Sequence, residues 1–317
     1  MNTMSLQHLV LVPRSGLANR IRAIAAGKRL CQMSGARCTV VWDWQDYGAL
    51  FAADPAIEVV AQIPAGLAVK YSIMQTSMTG KEHRCVPLDQ APGIILTSQH
   101  CFGATHDPKP LDEFDLLPWL PQPSRPVREK VGMFRNQAFP PGVVVGLHMR
   151  RTDHVAAIAL SPDWLFVRSA QEIIDRGKAI YLATDNGATE AKMLSRFGRR
   201  TVRLSKNWTP AQRWPRAFNL EETIADYADL LLLASCDYVL GSADSSYSML
   251  AMALNGSPRS RVLRRLESDQ MTPFDRVRGT LHELGMLIFR LRQLERQHRG
   301  MKFGPAILRE LRKRLAA

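Results

Sequence analysis

The chain has 317 residues, of which 46% are hydrophobic, 22% are charged and 7% are aromatic. This length accommodates two domains of ordinary size, and the composition excludes a disordered or fibrous protein. The net charge of +13 is uneven, because residues 259–317 contain fifteen Arg or Lys and six Asp or Glu. The imbalance indicates a basic C-terminal surface and not a basic groove through the fold.

Cysteine usage and hydropathy predict a cytoplasmic protein. The five cysteines form no CxxC pair and are odd in number, which favours free thiols in a reducing compartment. A zinc site around His83/Cys85 and His100/Cys101 is the weaker alternative. The sequence has no run of about eighteen apolar residues and no signal-peptide layout at its start, so we expect neither a membrane span nor a leader.

The first half of the chain predicts a strand, a turn and a long helix, followed by shorter strands. Strands are predicted over residues 6–13, 36–43, 57–63, 67–71 and 93–98, and helices from about residue 17 and over about 125–139. The first turn places a helix N-terminus where an anion or a sugar hydroxyl can be held. The nucleotide fingerprints GxGxxG and GxxxxGK[ST] are both absent.

Polar residues follow the first two predicted strands. Gly16, Asn19 and Arg20 form the first turn, where they either contact a ligand or serve as cap and solvated surface. Asp43 and Asp46 follow the second strand and are candidates for a general base or for binding an acceptor hydroxyl. Helix capping is the alternative role for both carboxylates.

The second half alternates regularly between strands and helices. Strands are predicted over residues 143–149, 178–184, 200–204 and 236–240, and helices after Ser161, over residues 188–197 and 220–235, and from about 245. Ser161 is predicted to cap its helix, with Pro162 at the first helical position. The alternation predicts an α/β, doubly wound and mostly parallel sheet.

Three of these strands end in polar clusters. The clusters are His148/Arg150/Arg151/Asp153, Thr184/Asp185/Asn186 and Ser242/Asp244/Ser245/Ser246. Parallel strands place them at one edge of the sheet, where ligands of α/β proteins bind. An arginine pair matches the oxygens of a diphosphate, and the helix from about Ser245 adds backbone N–H groups. Structural arginines and ordinary helix caps are the alternatives.

Two further features concern ligands. Asp229 is expected to face the same edge, where a carboxylate can accept the two adjacent hydrogen bonds that guanine offers. The C-terminal residues 280–317 predict two amphipathic basic helices, which either pack on the domains or bind an acidic membrane surface.

The strings HMRRTD, YLATD and DYVLGSADSSYSMLAMAL resemble the donor-binding motifs of the GDP-fucose-dependent fucosyltransferase superfamily. The resemblance is strongest to the α1,6-fucosyltransferases of the nodulation-factor and N-glycan core type. GLANRIRAI is similar to the Gly-x-x-Asn-Arg turn of plant cell-wall fucosyltransferases. The similarity covers Val143 to about Asn255, and Gly16 to Ile24 in the first half.

The resemblance implies a GT-B-like fold with two Rossmann-like doubly wound domains facing a cleft. Residues 1–140 would form the acceptor-side domain, 141–279 the nucleotide-sugar domain and 280–317 the basic helices. The implied activity is inverting and metal-independent, moving fucose from GDP-fucose to a hydroxyl of a glycan or a lipid-linked glycoconjugate without a cofactor. The location predicted from the cysteines is cytoplasmic, and peripheral contact of the basic helices with the inner membrane face is the alternative to their packing on the domains.

Residue roles follow from the resemblance. Arg150 would hold the diphosphate, with Arg151 supporting it or neutralising leaving-group charge. The other implied contacts are His148 and Asp229 at the guanine, Asp185 and Asn186 near the ribose or base, and Ser245 and Ser246 near the phosphates. Arg150, Arg151, Asp153 and His154 are the catalytic candidates.

The sequence departs from the family where His154 replaces a lysine and Asn186 a carboxylate, and the family's proposed glutamate base falls near Ile158. The base therefore stays open among His154, Asp43, Asp46 and the donor phosphate itself acting as a weak base. Two rival hypotheses remain. One is the same scaffold using another nucleotide sugar. The other is a basic nucleic-acid-binding protein, which the charge favours and the low aromatic content disfavours.

Overall fold

The computed structural model describes residues 6–44, 46–66, 69–73, 85–86, 92–98, 101–104, 111–152, 154–206 and 219–265. Asp153, His83, His100 and the predicted C-terminal helices lie outside the described residues. None of the helices within those ranges combines the length and apolar character needed to cross a membrane.

The described chain contains twelve strands and eight α-helices, which alternate most regularly after residue 140. The strands are β1 (His8–Pro13), β2 (Arg37–Val41), β3 (Glu58–Val60), β4 (Val69–Ile73), β5 (Cys85–Val86), β6 (Gly93–Ser98), β7 (Gly103–Ala104), β8 (Val144–Met149), β9 (Ala179–Thr184), β10 (Thr201–Val202), β11 (Tyr238–Ser242) and β12 (Arg261–Leu263). The helices are α1 (Leu17–Ser34), α2 (Tyr47–Leu50), α3 (Arg125–Ala138), α4 (Val155–Leu160), α5 (Asp163–Asp175), α6 (Gly187–Phe197), α7 (Leu220–Ala234) and α8 (Ser246–Asn255).

The first sheet has the strand order β3-β2-β1-β6-β4, and every pairing in it is parallel. Its central strand β1 is buried almost throughout, as expected for a strand covered on both faces. Helix α1 begins at Leu17, as predicted, and ends at Gly35 in a left-handed conformation with a φ of 73°. The sequence-based strands and the α3 helix of the first half are confirmed within a few residues.

The second sheet has the order β10-β9-β8-β11-β12 and is also parallel throughout. All six residues of the central strand β8 are buried. Gly146 in this strand is a packing position, since a Cβ there would lie 2.7 Å from Leu233 Cδ1 on α7. The predicted doubly wound parallel architecture is therefore confirmed, and it is present twice.

A continuous apolar core joins the two sheets. Leu9 and Ile24 from the first half belong to the same buried cluster as Leu230 and Leu250 from the second. Helix α3 packs on α7, and α1 packs on both α7 and α8. The chain up to Arg264 forms one compact unit, and the domain boundary after residue 140 stays a prediction.

The prediction that Ser161 caps a helix is wrong. Helix α5 begins at Asp163 with Pro162 as its N-cap residue, and Ser161 instead ends α4, a short helix that the sequence did not predict. The Ser161 hydroxyl is fully buried, donates to the Leu263 carbonyl at 2.5 Å and accepts from the Ala243 N–H at 2.8 Å. It therefore joins the turn between α4 and α5 to the ends of β11 and β12.

Candidate functional site

The three predicted polar clusters lie at one edge of the second sheet. Strand β8 pairs in parallel with β9 on one side and with β11 on the other, with Met149 opposite Thr184 and Leu147 opposite Leu240. The carboxyl ends of the three strands therefore lie side by side, as the sequence predicted. We call this the second-sheet edge.

Asp185 holds the turn that follows β8. Its carboxylate accepts from the Arg151 N–H at 2.7 Å and from the Thr152 hydroxyl at 2.5 Å, and it contacts Arg150 Nε at 3.0 Å. Burial raises the pKa of Asp185, but the Arg150 guanidinium and the Thr152 hydroxyl outweigh it and hold that pKa below its ordinary value. The Arg150 N–H donates to Ser242 Oγ at 3.0 Å, which ties the turn to β11.

The two adjacent arginines have different environments. The Arg150 side chain is 31% exposed, whereas that of Arg151 is 7% exposed. Arg151 donates at 2.7 Å to each of Asp163 Oδ1, the Ser161 carbonyl and the Arg150 carbonyl. Its guanidinium also lies 5.2 Å from the centre of the Phe166 ring. Arg151 therefore stabilises the turn from its buried side, and Arg150 is the arginine of the pair that is partly exposed to solvent.

His148 is buried beneath this turn. Its Nδ1 lies 2.6 Å from Ser248 Oγ, and its ring stacks on Tyr247 with 4.7 Å between ring centres. Ser248 Oγ also accepts from the Ser242 N–H at 2.9 Å, so its own proton is directed to His148. Burial lowers the pKa of His148 to about 3, and the ring is neutral at physiological pH.

Asp229 lies in a buried polar cluster that includes Lys206. Its two oxygens accept from the Tyr181 hydroxyl at 2.5 Å and from Lys206 Nζ at 2.7 Å, and the residue is 1% exposed. Burial raises the pKa of Asp229, and the Lys206 ammonium opposes that effect. Burial likewise lowers the pKa of Lys206, but Asp229 and Asp226 outweigh it and hold that pKa above its ordinary value.

Sequence reasoning missed Lys206, although a signal was present. The residue follows β10, which neighbours β9 in the parallel sheet, so the strand-end rule applied to a fourth strand would have selected it. Sequence reasoning also missed Tyr247 and Ser248, which lie in the first turn of α8 directly after the serine cluster.

Several predicted ligand contacts serve as helix caps. Asn186 Oδ1 accepts from the Thr189 N–H at 2.9 Å, and His154 Nδ1 accepts from the Ala157 N–H at 3.1 Å. Ser245 is buried and caps α8, and Ser246 is its half-buried first residue. The N-terminus of the ten-residue helix α8 therefore opens at the second-sheet edge, where its dipole favours an anion.

The first-sheet residues form a separate arrangement. Arg20 is 7% exposed, donates to the Ser15 carbonyl at 2.9 Å and lies 4.8 Å from the centre of a Trp44 ring. Asn19 is half-buried and donates to Ser15 Oγ at 3.1 Å. Open space surrounds Gly16, the N-cap residue of α1. Arg20 thus stabilises the turn, while Gly16 and Asn19 border its surface.

The two carboxylates of the first half differ in their partners. Asp43 is ion-paired with Arg14 and lies 3.5 Å from Arg20 Nη1. Burial raises the pKa of Asp43, but these two guanidiniums outweigh it and hold that pKa below its ordinary value, which disfavours Asp43 as a base. Asp46 caps α2 by accepting from the Gly48 N–H at 2.9 Å.

The two parallel sheets with their flanking helices define a GT-B-like α/β fold. No family model matches the chain, and no curated protein matches its sequence. Solved structures of fucosyltransferases do share the fold. NodZ α1,6-fucosyltransferase of Bradyrhizobium, soaked with GDP-fucose, has a TM-score of 0.52 at 13% identity, covering 78% of this chain and 92% of NodZ.

Two further fucosyltransferase structures are similar. A variant of FUT1 from Arabidopsis thaliana in complex with GDP has a TM-score of 0.57 at 15% identity, covering 84% of this chain and 72% of FUT1. POFUT1 in its apo form has a TM-score of 0.51 at 9% identity, covering 83% of this chain and 98% of POFUT1. These similarities confirm the predicted fold.

Proposed function

We propose that the protein is a glycosyltransferase that moves fucose from GDP-fucose to a hydroxyl of a glycan or a lipid-linked glycoconjugate. The proposal rests on Arg150, a partly exposed guanidinium whose Nε lies 3.0 Å from Asp185 at the second-sheet edge, where α8 also begins. The shared fold with fucosyltransferases whose solved complexes contain GDP or GDP-fucose supports the choice of donor.

In the proposed complex, Arg150 binds the diphosphate by charge-assisted hydrogen bonds. Ser246 and the first backbone N–H groups of α8 bind the remaining phosphate oxygens. Arg151 stabilises the turn after β8 from its buried side. His148 and Asp229 are proposed to lie at the guanine end of the donor; both are buried, and Ser248 and Lys206 fix their orientation.

The proposed reaction is an inverting displacement. The acceptor oxygen forms a bond to C1 of fucose while the bond from C1 to the β-phosphate oxygen breaks on the opposite face, and GDP leaves. The fixed guanidinium of Arg150 neutralises the charge that develops on the departing phosphate, which is the role a divalent cation would otherwise fill. Among the described residues, no group of three or more His, Cys, Asp or Glu side chains is placed to hold a metal ion.

The acceptor proton passes to a base for which His154 and Asp46 are the leading candidates, since the pKa of Asp43 is low. Asp153 is also proposed for the catalytic turn and lies outside the described residues. Residues 280–317, outside them as well, are proposed to bring the cytoplasmic protein to a membrane that bears lipid-linked acceptors.

Ligand-induced thermal stabilisation tests the proposal directly. GDP at one hundred times its Kd adds about 2.7 kcal/mol to the free energy of unfolding, whereas UDP and dTDP at the same concentration should leave it unchanged. Stabilisation by UDP or dTDP alone would assign the fold to another nucleotide sugar. Indifference to all three nucleotides, with tight and salt-dependent RNA binding, would favour a nucleic-acid-binding protein.

A further inference from the structure

Lys206 connects the second-sheet edge to helix α7. Its ammonium lies 2.7 Å from Asp229 Oδ2 and 3.3 Å from Asp226 Oδ1, both on α7. It also lies 3.3 Å from the carbonyl oxygen of Thr184, the last residue of β9. One 17% exposed cation therefore joins two carboxylates of a helix to the end of a strand.

The strand end that Lys206 contacts continues into the residue that holds the arginine turn. Asp185 follows Thr184 directly, and its carboxylate binds the backbone N–H of Arg151 and the side chains of Arg150 and Thr152. The Thr184 hydroxyl donates to the Met149 carbonyl at 2.7 Å, just before the same turn. A displacement of Thr184 would therefore move Asp185, whose carboxylate binds the turn, and would disturb the hydrogen bond from the Thr184 hydroxyl to the Met149 carbonyl.

In the proposed donor chemistry Lys206 orients Asp229, and its contact with the carbonyl at the end of β9 has no role there. Asp226 and Asp229 carry two negative charges around a single ammonium, and Asp226 is 35% exposed and open to water. The ammonium has three donors, and Asp226, Asp229 and the Thr184 carbonyl each accept one of them, so the cation between the two carboxyl groups of α7 is also bonded to the end of β9. A positioning role for Lys206 explains its contact with the end of β9.

We propose that Lys206 is a positioning residue that fixes the carboxyl end of β9 against α7 and thereby holds Asp185 where it presents Arg150. The role rests on the proposed function, in that Arg150 is the residue presented to the nucleotide. The arrangement of the turn itself is a property of the protein without ligand and can be measured without one.

Amide hydrogen exchange of the turn tests the proposal independently of the donor. In Lys206→Met, exchange at the amides of Arg151 and Thr152, which donate to Asp185, should accelerate about tenfold, as expected when the charged partner of a hydrogen bond is displaced. Lys28→Met is the matched control, because Lys28 makes a similarly buried ion pair with Asp54 in the first half of the chain. It should leave exchange in the turn unchanged.

Two further variants separate positioning from charge balance. Lys206→Arg keeps the cation and should retain exchange protection. Lys206→Met combined with Asp226→Asn restores the net charge of the cluster; it should recover thermal stability while the turn still exchanges rapidly. If Lys206→Met alone does not fold, hydrogen exchange of the turn is measured in the double variant. Wild-type protection of the turn in Lys206→Met, or protection recovered together with stability in the double variant, would overturn the proposal.

Nucleotide binding supplies the second readout. Lys206→Met should weaken GDP binding about tenfold, and Lys206→Arg should bind GDP like the wild type. If the wild-type protein does not bind GDP, the proposed function fails, while the exchange experiment still decides the role of Lys206. If GDP binds equally to wild type and Lys206→Met, the positioning role is refuted and the donor assignment stands.

Discussion

Removal of the two adjacent arginines, one at a time, should have opposite consequences. In Arg151→Ala, the carbonyls of Ser161 and Arg150 lose the Arg151 guanidinium as donor and Asp163 loses a charged partner. Hydrogen bonds to charged groups contribute about 1.5–3 kcal/mol each and do not add fully, so we expect a loss of about 3 kcal/mol. For a protein of this size, that loss lowers Tm by about 5 °C.

Arg150→Ala should instead preserve stability and abolish transfer. The Arg150–Asp185 ion pair is 31% exposed on the arginine side, and pairs of that kind contribute about 1 kcal/mol or less. The lost contact with the diphosphate is a charge-assisted one, and its removal should weaken GDP binding about 10- to 150-fold. Because it stabilises the departing phosphate, the same residue should be required for turnover.

Calorimetric titration with GDP and differential scanning calorimetry, performed on both variants, measure the two effects separately. Arg168→Ala is the control for removal of an exposed arginine, since Arg168 lies on α5 over the Trp164 ring at 5.2 Å. It should change neither quantity. If Arg151→Ala loses GDP binding at an unchanged Tm while Arg150→Ala binds normally, the division of roles drawn from burial is wrong.

Three other substitutions test residues that stabilise the second-sheet edge. Ser161→Ala leaves the Ala243 N–H and the Leu263 carbonyl without their partner and should reduce the free energy of unfolding by about 1–3 kcal/mol. Urea denaturation measures this loss, and Ser169→Ala, which alters a half-buried residue of α5, is the control. His148 has a folded pKa of about 3 and an ordinary value of 6.5. Its contribution to stability is therefore complete above pH 6.5 and is lost as the pH falls toward 3; His148→Gln should flatten that dependence, and an equal slope in both proteins would contradict it. Gly241→Ala would place a Cβ 2.6 Å from Ser248 Cβ, and both Tm and GDP affinity should fall; unchanged values would show that α8 can shift freely.

Much of the second half could be predicted because the periodicity is regular there. Continuous apolar runs marked β8, β9 and β11 as buried parallel strands, and the rule that such strands end at one edge brought the three polar clusters together. The pattern also located both ends of α7 and the start of α8 to within one residue. Local pattern and global fold agree along this part of the chain.

What the sequence could not distinguish is which polar residues face a ligand and which hold the fold. Arg150 and Arg151 are identical and adjacent, yet only the tertiary structure reveals that Asp163 and Ser161 lie around the second one. The same limit applies to Arg20, whose place beside Trp44 depends on the packing of two separate segments. Such pairings involve residues far apart in sequence, for which periodicity carries no information.

Helix α4 was missed for a related reason. It has only six residues, and its N-terminal cap is His154, which is not among the preferred capping residues. With α4 unrecognised, Ser161 was the best available cap for α5. In the structure its hydroxyl has two buried partners, the Ala243 N–H and the Leu263 carbonyl. Both would be left unsatisfied if the serine capped α5 instead, so tertiary contacts override the local preference.

The contrast between the two sheet edges explains why the second is the better candidate for charge stabilisation. At the first edge, Arg14 and Arg20 both face Asp43, so an arriving phosphate would compete with a carboxylate for two guanidiniums. At the second edge, the Asp185 carboxylate also binds the Arg151 N–H and the Thr152 hydroxyl. It therefore orients Arg150 while most of its hydrogen bonds go to other groups. A guanidinium held in this way is fixed before the ligand arrives and needs little reorganisation during the reaction, which is the condition under which a fixed charge stabilises a transition state most effectively.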